Sequence, residues 1–207
     1  DVVAPLGGYY LANVSWYENL GNGTAWSEHV MGTAATGTEV KDVQAADFDN
    51  DSRLDIAVRT KTSVAFFYHQ FDGSWDQRST SIVDREGTAL ADVDLDGKTD
   101  VVLNGYWLKN PGGRMNSWTR YDIDPLWFSH TNSIPPSGDG WRLDAVRIAV
   151  ADYNGDGRDD IAFSQSELPS FSIAWYESSN PTAGPSAWIK HTVDVVDYAH
   201  TLQAADF

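Results

Sequence analysis

Asp47-Phe-Asp-Asn-Asp-Ser-Arg-Leu-Asp55-Ile-Ala-Val returns as Asp92-Val-Asp-Leu-Asp-Gly-Lys-Thr-Asp100-Val-Val-Leu, and again as Asp152-Tyr-Asn-Gly-Asp-Gly-Arg-Asp-Asp160-Ile-Ala-Phe. Each copy follows an alanine and runs into a short apolar segment. A fourth opens at Ala205-Asp206-Phe207, so successive first aspartates stand 45, 60 and 54 residues apart. Self-similarity at such a period marks stacked or radially arranged units, because one unit cannot bury its own apolar face.

A second series runs in phase with the first. Trp16-Tyr-Glu-Asn19 is followed by Trp26, Phe67-Tyr-His-Gln70 by Trp75, Trp107-Leu-Lys-Asn110 by Trp118, and Trp175-Tyr-Glu-Ser178 by Trp188. Helical periodicity is nearly absent, while short β-branched or alternating runs recur between Gly, Asn and Pro turns. The unit therefore reads as strand, acidic loop, strand, strand, polar turn and a last strand opened by Trp. Four-stranded units in tandem predict an all-β propeller, whose radial packing limits exposed strand edges. Residues 1–207 are expected to form one domain of about four blades. Asp1-Val2-Val3-Ala4 matches the end of the acidic motif and Asp206-Phe207 its beginning, so the ends can complete one blade and close four. The alternative is half of a seven- or eight-bladed propeller, with an oligomer possible.

The acidic motif has the chemistry of a calcium loop. Carboxylates at alternate positions, with a backbone carbonyl at the seventh, can converge on one hard cation, and glycine at the sixth permits the sharp turn. The expected Ca²⁺ ligands are Asp47, Asp49, Asp51, the Arg53 carbonyl and Asp55; Asp92, Asp94, Asp96, the Lys98 carbonyl and Asp100; and Asp152, Asn154, Asp156, the Arg158 carbonyl and Asp160. Like charges this dense repel one another without a cation. Ser52 replaces the turn glycine in the first loop, and Asn154 supplies a neutral oxygen in the third.

These motifs resemble the FG-GAP or VCBS repeat, best known from integrin α propellers and from bacterial secreted proteins, lectins and polysaccharide lyases. The resemblance implies calcium loops joining the first and second strands of each blade on the bottom face, as structural clamps. It places ligands on the top face, in blade grooves or in the central channel. Weak sites of this kind need roughly millimolar calcium, which implies an extracellular or periplasmic location.

Composition narrows the partners. Thirty acidic against fourteen basic residues give a formal charge of −16, which lacks the phosphate-neutralising surface of a nucleic-acid binder. No cysteine is present, so thiolate metal sites, disulfides and cysteine nucleophiles are excluded. No apolar run approaches a membrane span. Without an initiator Met or a leader-like segment at Asp1, the chain reads as a mature or trimmed product.

One connection is enlarged. The stretch between Asp124 and Arg147 brings together Trp127, Phe128, His130, Asn132, Trp141 and Arg142, a set able to stack on a sugar ring and hydrogen-bond its hydroxyls. With the calcium loops at the bottom, it lies on top, and Tyr198-Ala-His200-Thr201 occupies the equivalent loop one blade on. His130 and His200 could then face one groove. A glycan-binding module is the leading expectation. The alternatives are a polysaccharide lyase, with His130, His200 and Tyr198 as base and acid and Arg142 or Arg147 neutralising a uronate, and a protein-adhesion or structural propeller. The repeated tryptophans read as blade packing, and His29 and His191, alike in position, as structural.

Overall fold

The computed structural model describes residues 1–6, 11–36, 39–83, 85–129 and 145–205. They form two compact units, Asp1–Val83 with Gly112–Ser117, and Asp84–Pro111 with Trp118–Phe207.

The first unit holds two sheets. One is a three-stranded antiparallel meander of β1 (Val2–Leu6), β2 (Leu11–Asn19) and β3 (Trp26–Thr36). The other runs in chain order through β4 (Val40–Ala46), β5 (Asp55–Thr60), β6 (Ser63–His69) and β7 (Trp75–Ser81). All six residues of β5 are buried, so Ile56, Ala57 and Val58 read as a continuous apolar run. The edge strand β7 is polar (Asp76, Gln77, Arg78), which discourages further strand addition. Val14, Met31, Ile56, Val58, Ala65 and Phe67 make the core. Burying a side chain of Phe67's size contributes about 1.5–3 kcal/mol.

The second unit repeats the plan. One sheet contains β8 (Ala89–Ala91), β9 (Asp100–Leu103), β10 (Tyr106–Lys109) and β11 (Thr119–Asp122). A single helical turn, α1 (Leu126–Ser129), follows. The other sheet contains β12 (Val146–Ala151), β13 (Asp160–Gln165), β14 (Phe171–Glu177) and β15 (Ile189–Val196). Trp107, Phe163, Tyr176 and Trp127 anchor its core.

Among the described residues the expected all-β class and four blade-like meanders are found, each sheet open rather than closed on itself. In the three four-stranded sheets the acidic motif joins the first strand to the second, at β4–β5, β8–β9 and β12–β13. The three-stranded sheet begins at the equivalent of a second strand. Asp1 Oδ1 accepts the Asn19 N–H at 2.9 Å, as Asp55 Oδ1 accepts the His69 N–H at 2.8 Å and Asp100 Oδ1 the Asn110 N–H at 2.7 Å.

The tryptophans divide. Trp107 and Trp188 are buried in the core, whereas Trp26 is 45% exposed and only partly fulfils the packing expectation. Trp16 and Trp175 each face a histidine across the strand pair, with ring centroids 4.4 Å from His29 and 4.0 Å from His191. Glu18 and Glu177 bond the Nε2 atoms of these histidines at 3.1 and 2.7 Å. Both histidines are thus held by stacking and a carboxylate.

Candidate metal centres

In each acidic loop the first aspartate folds the chain around itself. Asp47 accepts the N–H groups of Asp51 and Ser52 at 3.1 and 2.8 Å, and Asp92 those of Asp96 and Gly97 at 3.0 and 2.8 Å. Asp152 accepts those of Asp156 and Gly157 at 3.1 and 2.8 Å. The sixth position is left-handed in all three, with φ of 69° at Ser52, 82° at Gly97 and 85° at Gly157. The first aspartate of each motif thus makes the turn by hydrogen bonds to its near neighbours.

The ninth-position aspartate starts the next strand and closes the loop from below. Asp55 Oδ2 accepts the Phe48 N–H at 2.9 Å, Asp100 Oδ2 the Val93 N–H at 3.0 Å, and Asp160 Oδ2 the Tyr153 N–H at 3.0 Å. All three are buried. Burial pushes Asp55 and Asp160 up to about 6 and Asp100 up to about 7, against the backbone N–H groups that favour the ionised form.

Carboxylate oxygens of Asp47, Asp49 and Asp55 lie within 4.8 Å of one another, as do those of Asp92, Asp94 and Asp100. Ligands on opposite sides of one calcium ion stand about 4.6–5.2 Å apart, twice a Ca–O bond. Asp49 Oδ1 and Asp94 Oδ1 are buried and have no hydrogen-bond partner, and the Asp49 side chain is only 4% exposed. A buried carboxylate oxygen without a donor is costly unless a cation meets it. Donor chemistry, spacing and orphaned oxygens therefore fit Ca²⁺ at the first two loops, held by these triplets.

Asp51 and Asp96 stand outside the triplets. Arg53 bonds Asp51 at 2.8 Å and Lys98 bonds Asp96 at 2.8 Å, while their backbone N–H groups bond the same aspartates. The third loop is more open: Asp152, Asn154 and Asp156 are exposed, and it has no triplet among the described residues. Asn154 Nδ2 donates instead to Glu177 Oε2 at 2.5 Å.

Two cations that the sequence reading did not single out sit on these loops. Lys109 Nζ bonds Asp94 Oδ2 and, at 2.7 Å, Asp96 Oδ2. Burial opposes its charge, but the two carboxylates outweigh that and hold its pKa above the ordinary lysine value. Arg114 Nε donates to Asp49 Oδ2 at 2.6 Å, and its Nη2 lies 3.7 Å from Asp51. Lys109 had a signal, since Glu18, Lys109 and Glu177 occupy one position of the repeat, each two residues after its tryptophan. Arg114 had none.

The enlarged connection requires a correction. Trp127 is 2% exposed, 5.3 Å from Phe163 and 5.2 Å from Phe171 by ring centroids, so it offers no face to a sugar. The apolar core captures it because α1 turns it inward. Phe128 is half-buried, edge-on to Tyr106 and with the Arg120 guanidinium 4.5 Å over its ring. His130, Asn132, Trp141 and Arg142 lie outside the described residues, as does Asp206. Tyr198 is 52% exposed, and His200 is exposed with its carbonyl accepting from Arg147 Nε at 2.9 Å.

A groove of about 440 Å³ opens in the first unit between β1–β2 and β4–β6. Trp16, Trp75, Ile56 and Val43 give it apolar walls, and Asp1, Gln44 and His69 supply polar groups. His69 stacks on Trp75 at 4.5 Å. This combination suits a small ligand with apolar faces and polar edges.

The family model of the FG-GAP-like repeat matches residues 1–58, 47–103 and 92–163. Each match ends in an acidic motif and its following strand, in the phase read from the sequence. A search of curated proteins finds no match.

Proposed function

The chain belongs to the FG-GAP-like repeat family, and from that premise we propose that it is an extracellular β-propeller-type module, clamped by calcium, that recognises carbohydrate. The observation that carries the calcium part is the pair of buried, donorless oxygens, Asp49 Oδ1 and Asp94 Oδ1, within tight carboxylate triplets. A divalent ion supplies charge neutralisation there and ties each acidic loop to the strand that follows. Asp55 and Asp100 anchor the buried end of each site, and Asp47 and Asp92 shape the turn.

The carbohydrate part rests on the groove of the first unit. Trp16 and Trp75 line it with aromatic surface of the kind that stacks against the C–H face of a sugar ring, and Asp1, Gln44 and His69 add polar groups of the kind that hydrogen-bond hydroxyls. No helix among the described residues is long and apolar enough to cross a membrane. Net charge of −16 favours neutral glycans over polyanions.

A glycan array probed with calcium and with chelator tests both parts, alongside melting of the protein in the same buffers. Calcium at a hundred times its Kd stabilises a fold by about 2.7 kcal/mol, so melting should rise well beyond an ionic-strength control. Binding to a defined glycan that Trp75→Ala removes, with melting retained, supports the groove. A blank array with folded protein overturns carbohydrate recognition, and a calcium-independent melt overturns the clamp.

A further inference from the structure

The cations at the first two loops are not spread around them as solvated surface charge. Lys109 Nζ bridges Asp94 and Asp96, and Arg114 Nε bonds Asp49, whose side chain is 4% exposed. Asp49 and Asp94 are also the residues whose other oxygens are buried without a partner. At the third loop the repeat position of Lys109 is Glu177, an anion, bonded to Asn154. Each of the first two loops therefore already holds a positive group against one of its own triplet carboxylates, and the third has an additional negative one.

We infer that Lys109 and Arg114 are tethered counter-cations that compete with calcium for Asp94 and Asp49, keeping the loops folded without metal and weakening their calcium affinity. This inference rests on the calcium reading proposed above. The ammonium of Lys109 spends its donors on Asp94 and Asp96 and puts a positive charge beside the triplet, and two cations sharing Asp94 repel, so calcium displaces it rather than binding beside it. The guanidinium of Arg114, held by Asp49 Oδ2 and Gln70 and near Asp51, likewise puts its charge on a carboxylate that the ion would take. The tether raises the calcium level at which these loops fill, because the competent state is the fraction in which the cation has swung away. Both side chains are partly exposed, 27% for Lys109 and 31% for Arg114, which leaves them room to do so.

The test is calcium titration calorimetry of the full chain, Lys109→Gln, Lys109→Arg and Arg114→Gln, with melting measured in chelator. Lys109→Gln should tighten one calcium site at least about tenfold, equal to about 1.4 kcal/mol, and should lower the melting temperature in chelator. Arg114→Gln should do the same at a different site, and Lys109→Arg should behave as the parent chain. A merely structural lysine would give the opposite sign, with weaker calcium binding once it is removed. Unchanged or weakened affinity in both Gln variants overturns the inference while leaving calcium binding intact. Absence of saturable binding in every protein overturns both.

Discussion

Trp127 Nε1 donates a 2.8 Å hydrogen bond to the hydroxyl of Tyr176, which in turn donates at 2.6 Å to Asp124 Oδ2. The chain of bonds closes α1 over the last sheet: Asp124 Oδ1 also accepts the Leu126 N–H at 2.9 Å, and Lys190 lies 3.7 Å from Oδ2. Burial, and then the carboxylate that needs its proton as donor, raise the Tyr176 pKa. Tyr176→Phe leaves the indole N–H and a carboxylate oxygen short of a partner. It should destabilise the protein by about 1–3 kcal/mol, measured by chemical denaturation, with glycan binding in the folded fraction unchanged.

Backbone strain in the acidic loops is removable. Ser52 has a φ of 69° and Leu95 a φ of 58°, where a side chain costs roughly 1–2 kcal/mol. Leu95 is 50% exposed, so replacing it removes little core contact. Ser52→Gly and Leu95→Asn should each stabilise the calcium-free protein by about 0.5–1 kcal/mol, the glycine gain being reduced by its freer unfolded chain. Equilibrium unfolding in chelator checks this, and destabilisation by both variants would contradict the left-handed geometry.

The buried aspartates give the calcium-free protein a definite pH response. Burial raises Asp55 and Asp160 to about 6 and Asp100 to about 7, above the ordinary unfolded value near 4. The folded state therefore binds more protons than the unfolded one between these limits, and stability falls as pH rises through that window. In chelator, the melting temperature should decline from about pH 4 to about pH 7. Saturating calcium should flatten or reverse the decline, because the ion selects the ionised carboxylates. A calcium-free melt that rises over this range would show these groups to be ionised throughout.

Much of the molecule was legible in the chain. The three acidic loops could be placed because their geometry is made by neighbours: Asp47 bonds Asp51 and Ser52, four and five residues away, and the same holds at Asp92 and Asp152. The strand count followed from the phase of Trp16, Phe67, Trp107 and Trp175 against those loops. Even Asp1 was readable as a ninth-position aspartate, since its place is set by the single strand pair it begins. The fate of Trp127 was not, because an aromatic residue in a long connection is equally suited to a binding face and to a core. Whether Phe163 and Phe171 lie within reach is settled only by packing.

The sequence by itself determined the repeat, the β class and the carboxylate loops, because hydrogen bonds over two to seven residues and the alternation of strands are local consequences of residue order. Tertiary structure alone decided which charges meet. Arg114 reaches Asp49 across 65 residues, Lys109 reaches Asp94 across 15, and Trp16 and Trp75 come to line one groove from different sheets. Such pairings depend on how separately formed strands bury their apolar faces, and burial brings together residues that no spacing in the chain connects.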